Sequence, residues 1–148
     1  MNESISKFNI KLKELMRKSL LLIFLFSVFY SNCFSQETIK FRAKYVSYKE
    51  YDKYGWSEWN EWKDVNILIV VNTEDDRITI FSSETQTLDV YEYEDYVEGD
   101  NTILRFKAID QEGIYCRIRF VFNEYDDNRQ LYVDYSNFTV VYAIKALR

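Results

Sequence analysis

The sequence predicts an all-β protein: an antiparallel eight-stranded meander, either a curled sheet or a small up-and-down barrel. Three observations carry that prediction. Apolar and polar residues alternate with period two from Thr38 to the end of the chain, the pattern of strands with one wet face. Outside residues 48–62, nothing after residue 35 repeats with a helical period. The alternating runs are parted by short breaks of Asn, Asp, Ser and Gly, which turn the chain tightly enough for hairpins.

Ahead of the strands lies a segment of different character. Leu20–Tyr30 (LLLIFLFSVFY) is an apolar run behind Arg17 and Lys18, too short for a bilayer span of roughly 20 residues. Ser31-Asn32-Cys33-Phe34-Ser35 follows. Cleavage after Ser35 places small residues at −3 and −1, so residues 1–35 read as a signal peptide and 36–148 as a single β domain. Met16 is itself a sufficient start for that signal, with residues 1–15 then an upstream extension. A lipid-modified Cys33 requires small residues just before it, where Tyr30 and Asn32 stand.

The strands follow in order. Ile39, Phe41, Ala43 and Tyr45 form the inward set of the first. Val65, Ile67, Ile69 and Val71 mark the second, and Ile78 and Ile80 the third. Residues 88–93 form a fourth whose inward face the pattern leaves open. Leu104, Phe106 and Ala108 mark the fifth, and Cys116, Ile118, Phe120 and Phe122 the sixth. Leu131, Val133 and Tyr135 mark the seventh. Phe138, Val140, Tyr142 and Ile144 mark the eighth.

A hairpin register is acceptable when both apolar sets share a face. That condition puts Val71 opposite Ile78, and Ala108 and Phe106 opposite Cys116 and Ile118. The second pairing leaves Gln111-Glu112-Gly113 as a three-residue loop with Gly113 at its left-handed position. It also puts Phe122 opposite Leu131, and Tyr135 opposite Phe138 around Ser136-Asn137.

The strings WSEW (Trp56–Trp59), ILIVVN, ITIFSSETQT, IDQEG, CRIRF and QLYVDYS, in this order, resemble a family of small exported all-β proteins of Bacteroidota. The resemblance spans most of residues 36–148. It implies a shared fold and export, and no active site. Members similar to this chain carry a second Cys where Ala108 stands, so a cross-strand disulfide of the family is absent here.

Composition narrows the chemistry. Residues 36–148 hold 14 Lys and Arg against 22 Asp and Glu, a net of −8. That balance excludes nucleic acid as a partner, since phosphates need a basic surface. The chain has no His, which removes the usual general base and the commonest metal ligand. Cys116 alone remains after the signal, on an inward face, and reads as a core thiol. Glu74-Asp75-Asp76 and Asp126-Asp127 read as solvated hairpin tips. The latter pair with Asn128 offers oxygens to calcium but lacks a spaced ligand series. No catalytic residue, metal or cofactor is assigned.

Two features depart from plain strand patterning. Tyr48, Tyr51 and Tyr54, then Trp56, Trp59 and Trp62, recur every three residues. This stretch is a bulged strand or a short helical turn over the barrel end, and its rings either cap the core or form a binding platform. The fifth and sixth strands set Lys107 opposite Arg117 and Arg105 opposite Arg119. Like charges directly opposite repel, so Glu92 and Glu94 of the fourth strand, or an anionic ligand or acidic partner, must offset them.

The reading is a binding or interaction module of the cell envelope, in the periplasm, at the outer-membrane surface or secreted. It has no membrane span once the signal is removed. Its candidate residues are Tyr54, Trp56, Trp59 and Trp62, with Arg105, Lys107, Arg117 and Arg119. The partner is a protein, a glycan or a small ligand. The alternative is a lipocalin-like carrier enclosing an apolar molecule, against which stand the bulky Phe and Tyr at inward positions.

Overall fold

The computed structural model describes residues 37–123, 125 and 127–148. The expected signal segment and Asp126 of the acidic tip lie outside them. The eight expected strands are β1 (Thr38–Asp52), β3 (Lys63–Asn72), β4 (Arg77–Phe81), β5 (Thr85–Glu98), β6 (Asn101–Asp110), β7 (Tyr115–Asn123), β8 (Arg129–Asp134) and β9 (Phe138–Ala146). A two-residue β2 (Gly55–Trp56) pairs with the end of β1. Each strand runs antiparallel to its neighbours, and β9 returns to pair with β1 from Phe41–Ala146 to Glu50–Phe138. The meander is therefore a closed eight-stranded barrel. Closure satisfies the backbone donors and acceptors that an open sheet would leave on its first and last strands.

The inward set packs as one cluster. Ile69, Ile80, Leu88, Ile118, Leu131 and Val133 are wholly buried, with Ala43 and Ala108 among them. Alternating large and small residues lets opposite walls interdigitate. Phe120 touches Phe41 at 5.6 Å and Phe106 and Phe122 each at 6.1 Å between ring centroids. Leu88 settles the open face of β5.

Three details differ from the sequence expectation. β1 slips register between Ala43 and Tyr45 against both neighbours. The bulge turns Tyr45 out beside Ala143 and puts Val46, opposite Tyr142, into the interior instead. An extra residue in one strand reverses the parity of everything after it. A like slip between Val90 and Glu92 sets Tyr93 against Phe106, ring centroids 5.1 Å apart. Lastly, Leu131 pairs with Phe120, and Phe122 with Arg129. The β7–β8 register is thus two residues from the expected one. A slip of two keeps every side chain on its own face, so face matching cannot detect it.

The β6–β7 turn is built as expected. Asp110 N–H donates to the Ile114 carbonyl at 3.0 Å, and Gly113 N–H to the Asp110 carbonyl at 3.0 Å. Asp110 Oδ1 accepts from the backbone N–H of Glu112 and of Ile114, both at 2.9 Å. Gly113 sits at φ +82° with open space where a Cβ would stand. The cost of a side chain there is therefore conformational rather than steric contact. Gly113→Val is expected to destabilise by roughly 1–3 kcal/mol, read as a lower denaturant midpoint. An unchanged midpoint would mean that the turn tolerates a β-branched residue at this angle.

Candidate functional site

The aromatic stretch is neither one bulged strand nor a helical turn: the end of β1 and the two-residue β2 lead into an irregular segment, 57–62, ahead of β3. Val46 pairs with Lys63, and Tyr51 with Trp56, so four residues of β1 (47–50) face six of the incoming chain (57–62). The excess bows outward and is held by specific bonds. Ser57 N–H donates to the Glu50 carbonyl at 2.8 Å and Asn60 N–H to the Tyr48 carbonyl at 2.9 Å. Glu50 N–H donates to Ser57 Oγ at 3.0 Å.

Ser47 fixes where the bow lies. It stands opposite Val141, on the outer face between inward-facing Val46 and Tyr48, yet it is only 2% exposed, as are Val141 at 2% and Thr139 at 3%. Its Oγ donates to the Asn60 carbonyl at 2.6 Å. The 57–62 segment thus folds over the outer wall and creates a small second core outside the barrel. Trp59 meets Tyr132 of β8 edge to face at 6.1 Å, reaching across β9 to do so, because Tyr132 pairs with Val141.

These contacts leave the rings half open. Trp56, Trp59 and Trp62 are 45%, 41% and 49% exposed. Trp56 meets Tyr51 edge to face at 5.3 Å. Lys49 Nζ lies 5.1 Å from the Trp56 ring centroid and 4.9 Å from that of Trp59, so one ammonium is shared by two indoles, an attraction that strengthens as water is excluded. Tyr54 stands apart at the β1–β2 tip, 85% exposed, after a turn in which Asp52 Oδ1 accepts its N–H at 2.8 Å.

The cations continue the same wall. Lys107 faces Arg117, and Arg105 faces Arg119. Lys107 Nζ binds both Glu92 oxygens at 2.9 Å and lies 3.5 Å from Glu94. The Glu92 bond raises the Lys107 pKa. Arg117 Nε lies 3.8 Å from Glu94. Arg119 grips Asp134 with two bonds, Nε at 2.5 Å and Nη2 at 3.0 Å, while its guanidinium lies 4.2 Å from the Tyr132 ring centroid. Glu92 and Glu94 offset the like charges from within the sheet, as the first of the two sequence readings holds. Asp134, which the sequence reading missed, does the same. Its place on the outer face of β8 was available from strand parity, but its register opposite Arg117 was not.

Tyr132 is the second missed residue and the one that unites the two patches. Trp56, Lys49, Trp59, Tyr132, Arg119 and Asp134 form a continuous run of rings and charges across the outer wall. Arg117→Ala, which loses only an exposed pair, is expected to change stability by about 0–1 kcal/mol. Asp134→Ala leaves a half-buried Arg119 without its two-point acceptor and is expected to cost about 1–3 kcal/mol. Denaturation midpoints in parallel check the order, and reversal would show that Arg117 carries the wall.

Elsewhere the acidic tip at Glu74, Asp75 and Asp76 is a turn held by Asn72. Asn72 Oδ1 accepts from Glu74 and Asp75 N–H at 3.0 and 3.3 Å, and Asn72 Nδ2 donates to Asp75 at 2.7 Å. Among the described residues no cluster of three or more His, Cys, Asp or Glu is arranged to hold a metal ion. Cys116 is buried opposite Ala108, a free thiol. Comparison with known families, characterised proteins and solved structures finds no match.

Proposed function

We propose that the protein is an exported binding module that engages its partner through the Trp56–Trp59–Trp62 face. The observation that carries this reading is the exposure of all three indoles on a bow held rigidly by backbone bonds and by Ser47. Rings already fixed by neighbours lose little entropy when a ligand stacks on them, and they present large apolar area beside polar groups. A glycan suits such a surface, its C–H faces stacking on indole while the Lys49 ammonium shared by Trp56 and Trp59 offers a hydrogen bond. Export rests on the Leu20–Tyr30 run with its basic flank and small-residue cleavage site, and leads to the periplasm, the outer-membrane surface or the medium. An apolar interior under an outer wall bearing Arg105, Lys107, Arg117 and Arg119 is the inverse of a membrane-spanning barrel, which supports a setting in water.

The three Trp of the chain all lie in this segment, so intrinsic tryptophan fluorescence reports this face alone. Titration with cell-wall glycan fragments is expected to shift the emission and protect it from acrylamide quenching. Trp59→Ala is expected to weaken binding at least tenfold while the fold survives. Binding that survives both Trp56→Ala and Trp59→Ala would exclude this face.

A further inference from the structure

The barrel interior is not filled evenly. The closely packed part ends at Ile69, Ile80 and Ile118. Toward the end that carries the β3–β4 turn, a cavity of about 200 Å³ opens. Its cause is a mismatch of strand lengths. β4 has only five residues and starts at Arg77, opposite Asp89, whereas β5 runs on to Glu98 with β6 beside it. The wall formed by β5, β6 and β7 therefore overhangs the short β3–β4 hairpin; Phe120 crosses to Phe41 of β1 at 5.6 Å, and the cavity opens beside that contact.

The lining is almost wholly apolar, with Phe41, Phe106, Phe120 and Phe122 as its rings and Val90 and Leu104 between them. Polar groups stand only at the rim, where Asn72, Thr73 and Arg77 are already engaged and Asp76 adds a carboxylate. Asn72 holds the turn backbone, Thr73 Oγ1 donates to the Glu37 carbonyl at 2.9 Å, and Arg77 holds Asp89 at 2.7 Å. The site thus selects by shape and apolar area, with no polar group within it to reward a buried head group. A 150 Å³ apolar cavity holds one benzene, so this volume corresponds to roughly eight carbons. It is too small to enclose a drug-sized molecule, which takes about 300–1,000 Å³.

We infer that this mouth binds the apolar end of a small amphiphile, six to eight carbons of chain or ring, whose polar body stays in water. The site is distinct from the indole face on the outer wall. It also differs from a carrier that encloses its cargo, because the lower barrel is filled by its own side chains.

The test uses a series of sodium alkanoates from four to twelve carbons, with phenylacetate and phenylbutyrate as ring-bearing probes. Each is added below its micelle concentration to the isotopically labelled protein. Saturable methyl shifts are expected at Val71, Ile78, Val90 and Leu104. Affinity is expected to rise about fourfold per methylene and to level off near eight carbons. A phenyl series that outruns the chains at equal carbon number identifies a ring as the preferred end, and the reverse order identifies a chain. Leu104→Trp and Val71→Phe fill the pocket from opposite walls, and each is expected to weaken binding more than tenfold. Trp59→Ala is expected to leave it unchanged. The inference is overturned by wild-type methyl groups that do not shift saturably, or by affinity still climbing fourfold per methylene beyond ten carbons. It is equally overturned by a filled, folded variant that binds as well as wild type. The wild-type length series decides the matter even if a filled variant fails to fold.

Discussion

Phe120→Ala is expected to destabilise the protein by about 3–5 kcal/mol. The ring is 4% exposed and is shared by three other phenyl rings from β1, β6 and its own strand. Its removal extends an existing cavity toward the filled half of the barrel, where Ile118 and Leu131 are held by strands on both sides and cannot collapse inward. Phe122→Ala, two residues on and half-buried at the mouth, is expected to cost visibly less. Urea denaturation of both variants checks this. Equal losses would mean that the mouth is as closely packed in solution as the middle, which would also count against the pocket.

Alkaline pH is expected to weaken the fold through Cys116. Burial, with Asp110 and Asp134 adding to it, pushes this thiol up to about 11, while an unfolded cysteine titrates near about 8.5. Below about pH 8.5 both states keep the proton, and the full stability is present. Between about 8.5 and 11 only the unfolded chain releases it, so stability falls as pH rises through that window and the loss is complete above it. A shift of about 2.5 pH units amounts to roughly 3 kcal/mol. Tyr132, Tyr135 and Tyr142 are raised as well, burial being the first cause in each, and they extend the loss to higher pH. Denaturation midpoints at pH 8 and pH 11 check the expectation. Cys116→Val, similar in volume and without a proton to lose, is expected to keep part of the stability that wild type forfeits. Equal falls in both proteins would place the titration elsewhere. In the same protein at pH 8, native Cys116 is expected to react with iodoacetamide far more slowly than the unfolded chain, since the thiolate is the nucleophile.

Of the two candidate patches, the cationic one was legible in detail and the aromatic one was not. Arg105, Lys107, Arg117 and Arg119 follow from a single hairpin register, pinned by Gly113 and by Ala108 opposite Cys116. Their offset by Glu92 and Glu94 then needs only strand adjacency. The Trp stretch carries no such constraint. Its spacing of three announces a departure from a plain strand, but not which way the excess residues bow. That depends on Ser47 finding the Asn60 carbonyl and on Trp59 finding Tyr132, more than seventy residues away in the chain.

Period-two alternation by itself determined the strand set, most of the inward residues and most hairpin pairings, because side-chain direction in a strand is a local property of the backbone. It could not determine three things. The two-residue slip between β7 and β8, which sets Phe120 opposite Leu131, preserves every face. The bulges of β1 and β5 reverse parity at one residue and answer to barrel curvature, not to local composition. Closure of β9 on β1, with the cavity left where β4 is shorter than β5, depends on strand lengths around the whole ring. These are properties of the assembled barrel, since each depends on residues far apart in the sequence meeting across its walls.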